Sequence, residues 1–147
     1  MQLNTSLLKT VLCVVVLGVT LSSCSRTLKP FASDGCSSFP DGTLQQNQLW
    51  LGCCIEHDLA YWEGGTYNDR LEADQRLQMC VADVGEPEIA LLMLAGVRVG
   101  GTPILPTSYR WGYGWPYPKP YAPLTEEELK QINAIKPELS DLLSKIK

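Results

Sequence analysis

Cys53 and Cys54 stand side by side in this chain, with Cys36 upstream and Cys80 downstream, and no other feature limits the possible folds as strongly. Two further cysteines lie apart from these, Cys13 inside an apolar N-terminal run and Cys24 at its end, which leaves an even set of four. In an oxidising compartment an even set reads as two disulfides. A bond between the neighbours Cys53 and Cys54 is strained on a helix, so two of the three pairings remain. Zinc held by these cysteines and His57 is the rival account. Adjacent helical side chains diverge by ~100°, however, and are poorly placed to face one tetrahedral ion.

Residues 1–23 read as a signal segment, with Lys9 as the only charge, an apolar run from Val11 to Leu21, and then small residues. Leu21-Ser22-Ser23-Cys24 resembles the lipobox of bacterial lipoproteins. That resemblance implies lipidation of Cys24, cleavage just before it and a lipid anchor in the bacterial cell envelope. Ser25 resembles the outer-membrane address of Gram-negative lipoproteins. An ordinary secretory signal, or a membrane anchor with an incidental cysteine, is the alternative, although the run is too short to span a bilayer comfortably. Residues 24–147 then make one small domain. Loss of Lys9 takes the formal charge from −4 to −5, and an acidic chain without a Lys/Arg cluster is a poor nucleic-acid binder. Membrane attachment therefore rests on lipid and not on charge.

Residues 24–33 read as an N-terminal tether, and Pro40-Asp41-Gly42 as a turn in a loop-rich stretch. A first helix is predicted from about Leu44 to Trp62, ending at Gly64-Gly65. Thr66 with Asp69 forms a capping box for a second helix to about Val84. The expected fold is mainly α: a disulfide-linked antiparallel helical hairpin turning near residue 65, with additional C-terminal helices. Antiparallel helices bring together positions equidistant from the turn. Cys53 and Cys80 lie twelve and fifteen residues from it, and His57 and Asp74 eight and nine. At ~1.5 Å rise per residue the cysteines are offset by only a few ångströms, which favours Cys53 with Cys80 and leaves Cys36 with Cys54. The former closes a loop worth about 3 kcal/mol in the chain-entropy model.

The hairpin core is taken as residues 34–106. Its last part, Pro87 to Val99, reads as a short apolar helix that ends at Gly100-Gly101. Packing on the hairpin is the plain reading of that helix, and a lipid-facing surface the sharper one. Residues 107–123 alternate aromatics with Gly and Pro (Tyr109, Trp111, Tyr113, Trp115, Tyr117, Tyr121), a pattern that suits either a cover over the core or a bilayer headgroup region. Residues 124–147 read as an amphipathic C-terminal helix. Thr125 and Glu128 make its capping box, and Leu129, Ile132, Ile135, Leu139, Leu142, Leu143 and Ile146 fall at helical spacing. Pro137 kinks or splits it.

His57 is the only histidine, hence the one side chain poised to move protons near neutral pH. Its neighbour Asp58 points about 100° away around the helix and is placed to hold a cation while the imidazole works on something else. That division of labour points to metal-assisted hydrolysis.

Asp34-Gly35-Cys36-Ser37-Ser38-Phe39-Pro40-Asp41 followed by Cys54-Ile55-Glu56-His57-Asp58-Leu59-Ala60-Tyr61 resembles the calcium loop and active-site helix of secreted phospholipase A2, nearest its small bacterial and fungal branch. Asp74, with Leu77 and Cys80 after it, is similar to that family's acidic residue behind the histidine. The resemblance covers about residues 34 to 80. It implies His57 as general base, Asp74 as the partner of its far nitrogen, and Tyr61 as a hydrogen-bonding neighbour of Asp74. It further implies Ca2+ held by Asp34, the Gly35 carbonyl and Asp58, with membrane phospholipid as substrate. Blander roles compete for each: a core histidine, a solvated Asp58, a turn-capping Asp34, an exposed Asp74 near a helix start, a core Tyr61. The expected activity is calcium-dependent hydrolysis of the sn-2 ester of phosphoglycerides by a lipid-anchored enzyme of lipid degradation. The alternative is a non-catalytic envelope lipoprotein that uses the same scaffold to bind a partner or lipid.

Overall fold

The computed structural model describes residues 26–145, so the signal segment, the lipobox with Cys24, and Ile146 lie outside the described residues. Among them the chain forms five helices and no strand: α1 (Leu51–Glu63), α2 (Tyr67–Asp83), α3 (Pro87–Gly100), α4 (Glu126–Ile135) and α5 (Leu139–Leu143). α2 packs on both α1 and α3, and α5 returns to α1. No described helix is long and apolar enough to cross a membrane.

α1 begins at Leu51 and not near Leu44, because the preceding backbone is engaged in a fold-back. Thr43 N donates to Gln46 O at 2.9 Å, Thr43 Oγ1 accepts from Gln46 N at 3.0 Å, and Trp50 N donates to Asp41 O at 3.0 Å. A Cβ on residue 42 would sit 2.0 Å from Gln46 O, so this turn requires Gly42. Leu44, expected inside the helix, is fully exposed.

Two cross-links secure the front half, Cys53–Cys80 between α1 and α2 and Cys36–Cys54 between the 30s loop and α1. This is the pairing obtained by counting from the turn. Both arms of the capping box at Thr66 and Asp69 form, and Gly64 and Gly65 supply the positive φ of the connection between α1 and α2. α3 turns Ala90 and Met93 inward toward Trp50, Leu77 and Val81, while Leu91, Leu92 and Val99 stay exposed. One face of that helix therefore packs on α2, and the opposite apolar face does not.

The last carbonyls of a helix need outside partners, and the aromatic segment supplies them for α1. Gly112 N donates to Tyr61 O at 2.7 Å and Gly114 N to Trp62 O at 3.3 Å. The Trp115 and Trp111 indoles donate to Glu63 O at 2.8 Å and Gly65 O at 3.0 Å. Trp111 and Trp115 are buried, so residues 107–123 cover the core. Trp115 joins Leu28, Leu59, Trp62 and Ile132 in one apolar cluster. The indoles of Trp50 and Trp62 likewise donate to carbonyls, of Pro40 and Lys29.

Both ends of the described chain are tied to the core. Residues 26–33, read as part of a tether, pack along the rest of the chain: Leu28 is buried, its N–H donates to Gln131 Oε1 at 2.9 Å, and Lys29 N donates to Gly114 O at 2.8 Å. The C-terminal segment is split in two at Pro137, one of the two outcomes its sequence allows. Lys136, in an extended conformation ahead of Pro137, separates α4 from α5. Ile132 and Leu142 then reach the Trp62 cluster, while Leu129, Ile135 and Leu143 are left exposed.

Candidate active site

His57 and Asp58 come from the middle of α1 and are both buried, although successive positions on a helix face different ways. His57 turns toward α2. Its Nε2 lies 2.9 Å from Asp74 Oδ1, and the same oxygen accepts the Tyr61 hydroxyl at 2.6 Å. Tyr61 follows His57 by one turn, and their rings are 4.1 Å apart. Burial, and next the Asp74 carboxylate, push the Tyr61 phenol above its ordinary range, which keeps it a hydroxyl donor. A carboxylate on Nε2 holds the proton there and leaves Nδ1 as the basic nitrogen, for which no hydrogen-bond partner stands among the described residues.

Behind this pair lies an arginine arrangement that sequence reasoning did not foresee. Arg70 Nε donates to the Tyr61 hydroxyl at 3.0 Å, and Arg98 Nε lies 3.0 Å from Asp74 Oδ2. The Arg98 contact is an ion pair without the alignment of a directed hydrogen bond, since Oδ2 has no such bond. Arg70 precedes Asp74 by four residues on α2, so that pairing had a readable signal. Arg98 arrives from α3 and had none.

Asp58 faces the 30s loop. Its Oδ2 accepts from Ser33 Oγ at 2.6 Å, and that hydroxyl accepts in turn from Gly35 N at 3.1 Å. Ser33 therefore joins the loop to the helix, a role with no local sequence signal. Gly35 has φ +81°, and a Cβ there would meet Asp41 Oδ1 at 2.4 Å. That oxygen accepts from Cys36 N at 2.8 Å, so the Pro40-Asp41 pair holds the loop from inside. Asp34 is exposed, with Oδ1 accepting from Ser37 Oγ at 3.0 Å.

Asp34, Gly35, His57, Asp58 and Tyr61 all line one cleft of about 650 Å³. It has an apolar lining as well, from Leu77, Leu92, Met93 and Val97, and Tyr109 of the aromatic segment also borders it. Tyr109 was singled out by sequence only as one aromatic among several. Its phenol is raised by burial, with the charges of Asp34 and Asp58 adding to the rise.

Burial pushes the Asp58 carboxyl up to about 7; the Ser33 hydrogen bond opposes the rise and the nearby charge of Asp34 adds to it. Among the described residues no Lys or Arg pairs with either carboxylate. Asp34, Gly35 and Asp58 line the same cleft, and carboxylate and carbonyl oxygens are the donor types that a hard divalent cation such as calcium takes. No three His, Cys, Asp or Glu side chains cluster among the described residues, and this donor set contains only two.

The raised Asp58 carboxyl makes stability depend on pH. Its folded pKa exceeds the ordinary unfolded value of about 3.9, so the folded protein holds an extra proton between the two. That contribution to stability is complete below the unfolded value and lost as pH rises through about 7. In chelator, melting temperature is expected to fall across this window, and Asp58→Asn to flatten the fall. Parallel melts of the two proteins measure it, and an undiminished fall in the variant contradicts the assignment.

No family model, curated protein or solved structure matches this chain.

Proposed function

We propose that this protein is a calcium-dependent, phospholipase A2-like esterase that cleaves the sn-2 ester of phosphoglycerides. The observation that carries the reading is a single one: His57, backed by Asp74 through Nε2, shares a cleft with Asp34, Gly35 and Asp58. The α1–α2 pair, bridged by Cys53–Cys80, is read as the helical hairpin of that superfamily. Lipid on Cys24 holds the protein at the bacterial envelope, in the outer membrane if there are two, where membrane phospholipid is within reach.

Asp34, the Gly35 carbonyl and Asp58 are the donors for calcium, which when bound supplies polarisation of the ester carbonyl and compensation of its developing negative charge. His57 Nδ1 takes the proton from water as it attacks the ester. Asp74 keeps the opposite nitrogen protonated and offsets the imidazolium that forms. Tyr61 anchors Asp74 in that task. The disulfide Cys36–Cys54 ties the donor loop to the helix that carries the base, so the two halves of the site are held in fixed relation. The apolar lining of Leu77, Leu92, Met93 and Val97 is suited to an acyl chain.

The test is release of fatty acid from phospholipid vesicles by oxidised protein, with calcium and with chelator. Release that depends on calcium is expected. None at millimolar calcium, from protein with both disulfides intact, would leave the scaffold as a binding module.

A further inference from the structure

Asp74 is wholly buried, and a carboxylate so placed is costly unless a counter-charge meets it. Two guanidiniums are near its Oδ2: Arg98 Nε on α3 at 3.0 Å and Arg70 Nε on α2 at 3.9 Å. Arg70 is committed elsewhere. It donates through Nε to the Tyr61 hydroxyl, through one terminal nitrogen to the Tyr121 hydroxyl at 2.7 Å, and through the other to the carbonyls of Val97 and Arg98 at 2.7 and 2.8 Å. Arg98 answers in the opposite direction, donating to Leu71 O at 3.1 Å while its Nε faces Asp74. The two arginines thus cross between helices, each holding the backbone of the other's element. Of the pair, Arg98 makes the closer approach to the carboxylate. It sits next to Val97, on the helix whose Leu92, Met93 and Gly96 also line the cleft.

We infer that Arg98 is a positioning residue: by pairing with Asp74 Oδ2 from α3 it fixes the carboxylate that orients His57, so the helix that contributes to the apolar lining of the cleft also sets the base. Oδ1 carries both His57 and Tyr61, so rotation of the carboxylate would disturb both contacts at once. Pairing at Oδ2 is what opposes that rotation. The kinetic consequence rests on the hydrolytic reading proposed above, whereas the spectroscopic one does not.

The chain has one histidine, so ring nitrogen resonances from labelled protein need no assignment. At mildly alkaline pH the wild type is expected to show a single neutral tautomer with the proton on Nε2. In Arg98→Gln that pattern is expected to give way to averaged tautomers. With a monomeric short-chain phosphatidylcholine and calcium, kcat is expected to fall about 10- to 100-fold with KM little changed. Arg98→Lys, which keeps the charge, should restore most of both signals. A wild-type ring spectrum and kcat in Arg98→Gln overturn the inference. So does a loss in Arg98→Gln that accompanies loss of helical dichroism and is not restored by lysine, since that is the mark of a scaffold contact alone. If the wild type hydrolyses nothing, the enzymatic reading fails, and the ring spectra alone decide whether Arg98 orients His57.

Discussion

His57→Ala is expected to lower kcat for calcium-dependent fatty-acid release by about three orders of magnitude while calcium binding stays near its wild-type strength. The size of the loss follows from what a positioned general base contributes, about 10²- to 10⁴-fold. Retained calcium binding follows from the division of the site. The proposed donors are Asp34, Gly35 and Asp58, of which Asp58 is joined to the loop through Ser33, whereas His57 turns to Asp74. The fold should tolerate the change, because Asp74 keeps the Tyr61 hydroxyl on Oδ1 and Arg98 beside Oδ2. Initial rates and a calorimetric calcium titration on the same sample test both halves. Activity within tenfold of wild type would remove His57 from the chemistry, and loss of calcium binding in step with activity would show that the two functions of the site are not separate.

The largest loss of stability is expected from Trp115→Ala, about 3 to 5 kcal/mol, a considerable part of the 5 to 15 kcal/mol that holds a typical domain together. Trp115 is fully buried against Leu28, Leu59, Trp62 and Ile132. Truncation leaves a large void, and it also strips the Glu63 carbonyl of its donor at the end of α1. Lys119, itself buried and paired with Glu128, loses the ring face that its Nζ approaches at 5.2 Å. Urea unfolding followed by far-ultraviolet dichroism should show a lower midpoint at unchanged slope. Trp115→Phe should recover most of the packing and leave a deficit of about 1 to 2 kcal/mol for the unpaired carbonyl. A loss below about 1 kcal/mol in Trp115→Ala would mean that the aromatic segment does not support α1.

What the sequence revealed was local. The capping boxes at Thr66 and Thr125, the stop at Gly64-Gly65 and the break ahead of Pro137 are decided by a few neighbouring residues, and all four form. The disulfide pairing was reachable because a single turn relates Cys53 to Cys80, and the same count brought His57 to Asp74. Where long-range partners decide, local signals were silent. The start of α1 is displaced because Trp50 reaches back to Asp41 and Pro40, and helical propensity carries no trace of that. Arg98 and Ser33 meet Asp74 and Asp58 across 24 and 25 positions of chain. Leu28 reads as a residue of a tether, because the partners of its stretch of backbone lie at residues 114 and 131. The aromatic segment was legible as a cover but not as a cap, since its use of α1 carbonyls depends on where the helix ends in space.

All four indoles are shut away from water, and each N–H is directed at a backbone oxygen from a different stretch of chain. The molecule therefore carries its own optical gauge of assembly. Emission from the native state should be blue-shifted, and it should move to the red only when the aromatic cover, the 30s loop and residues 26–33 come away from the helices. Read beside far-ultraviolet dichroism, that colour change separates a chain that is merely helical from one whose cleft is built.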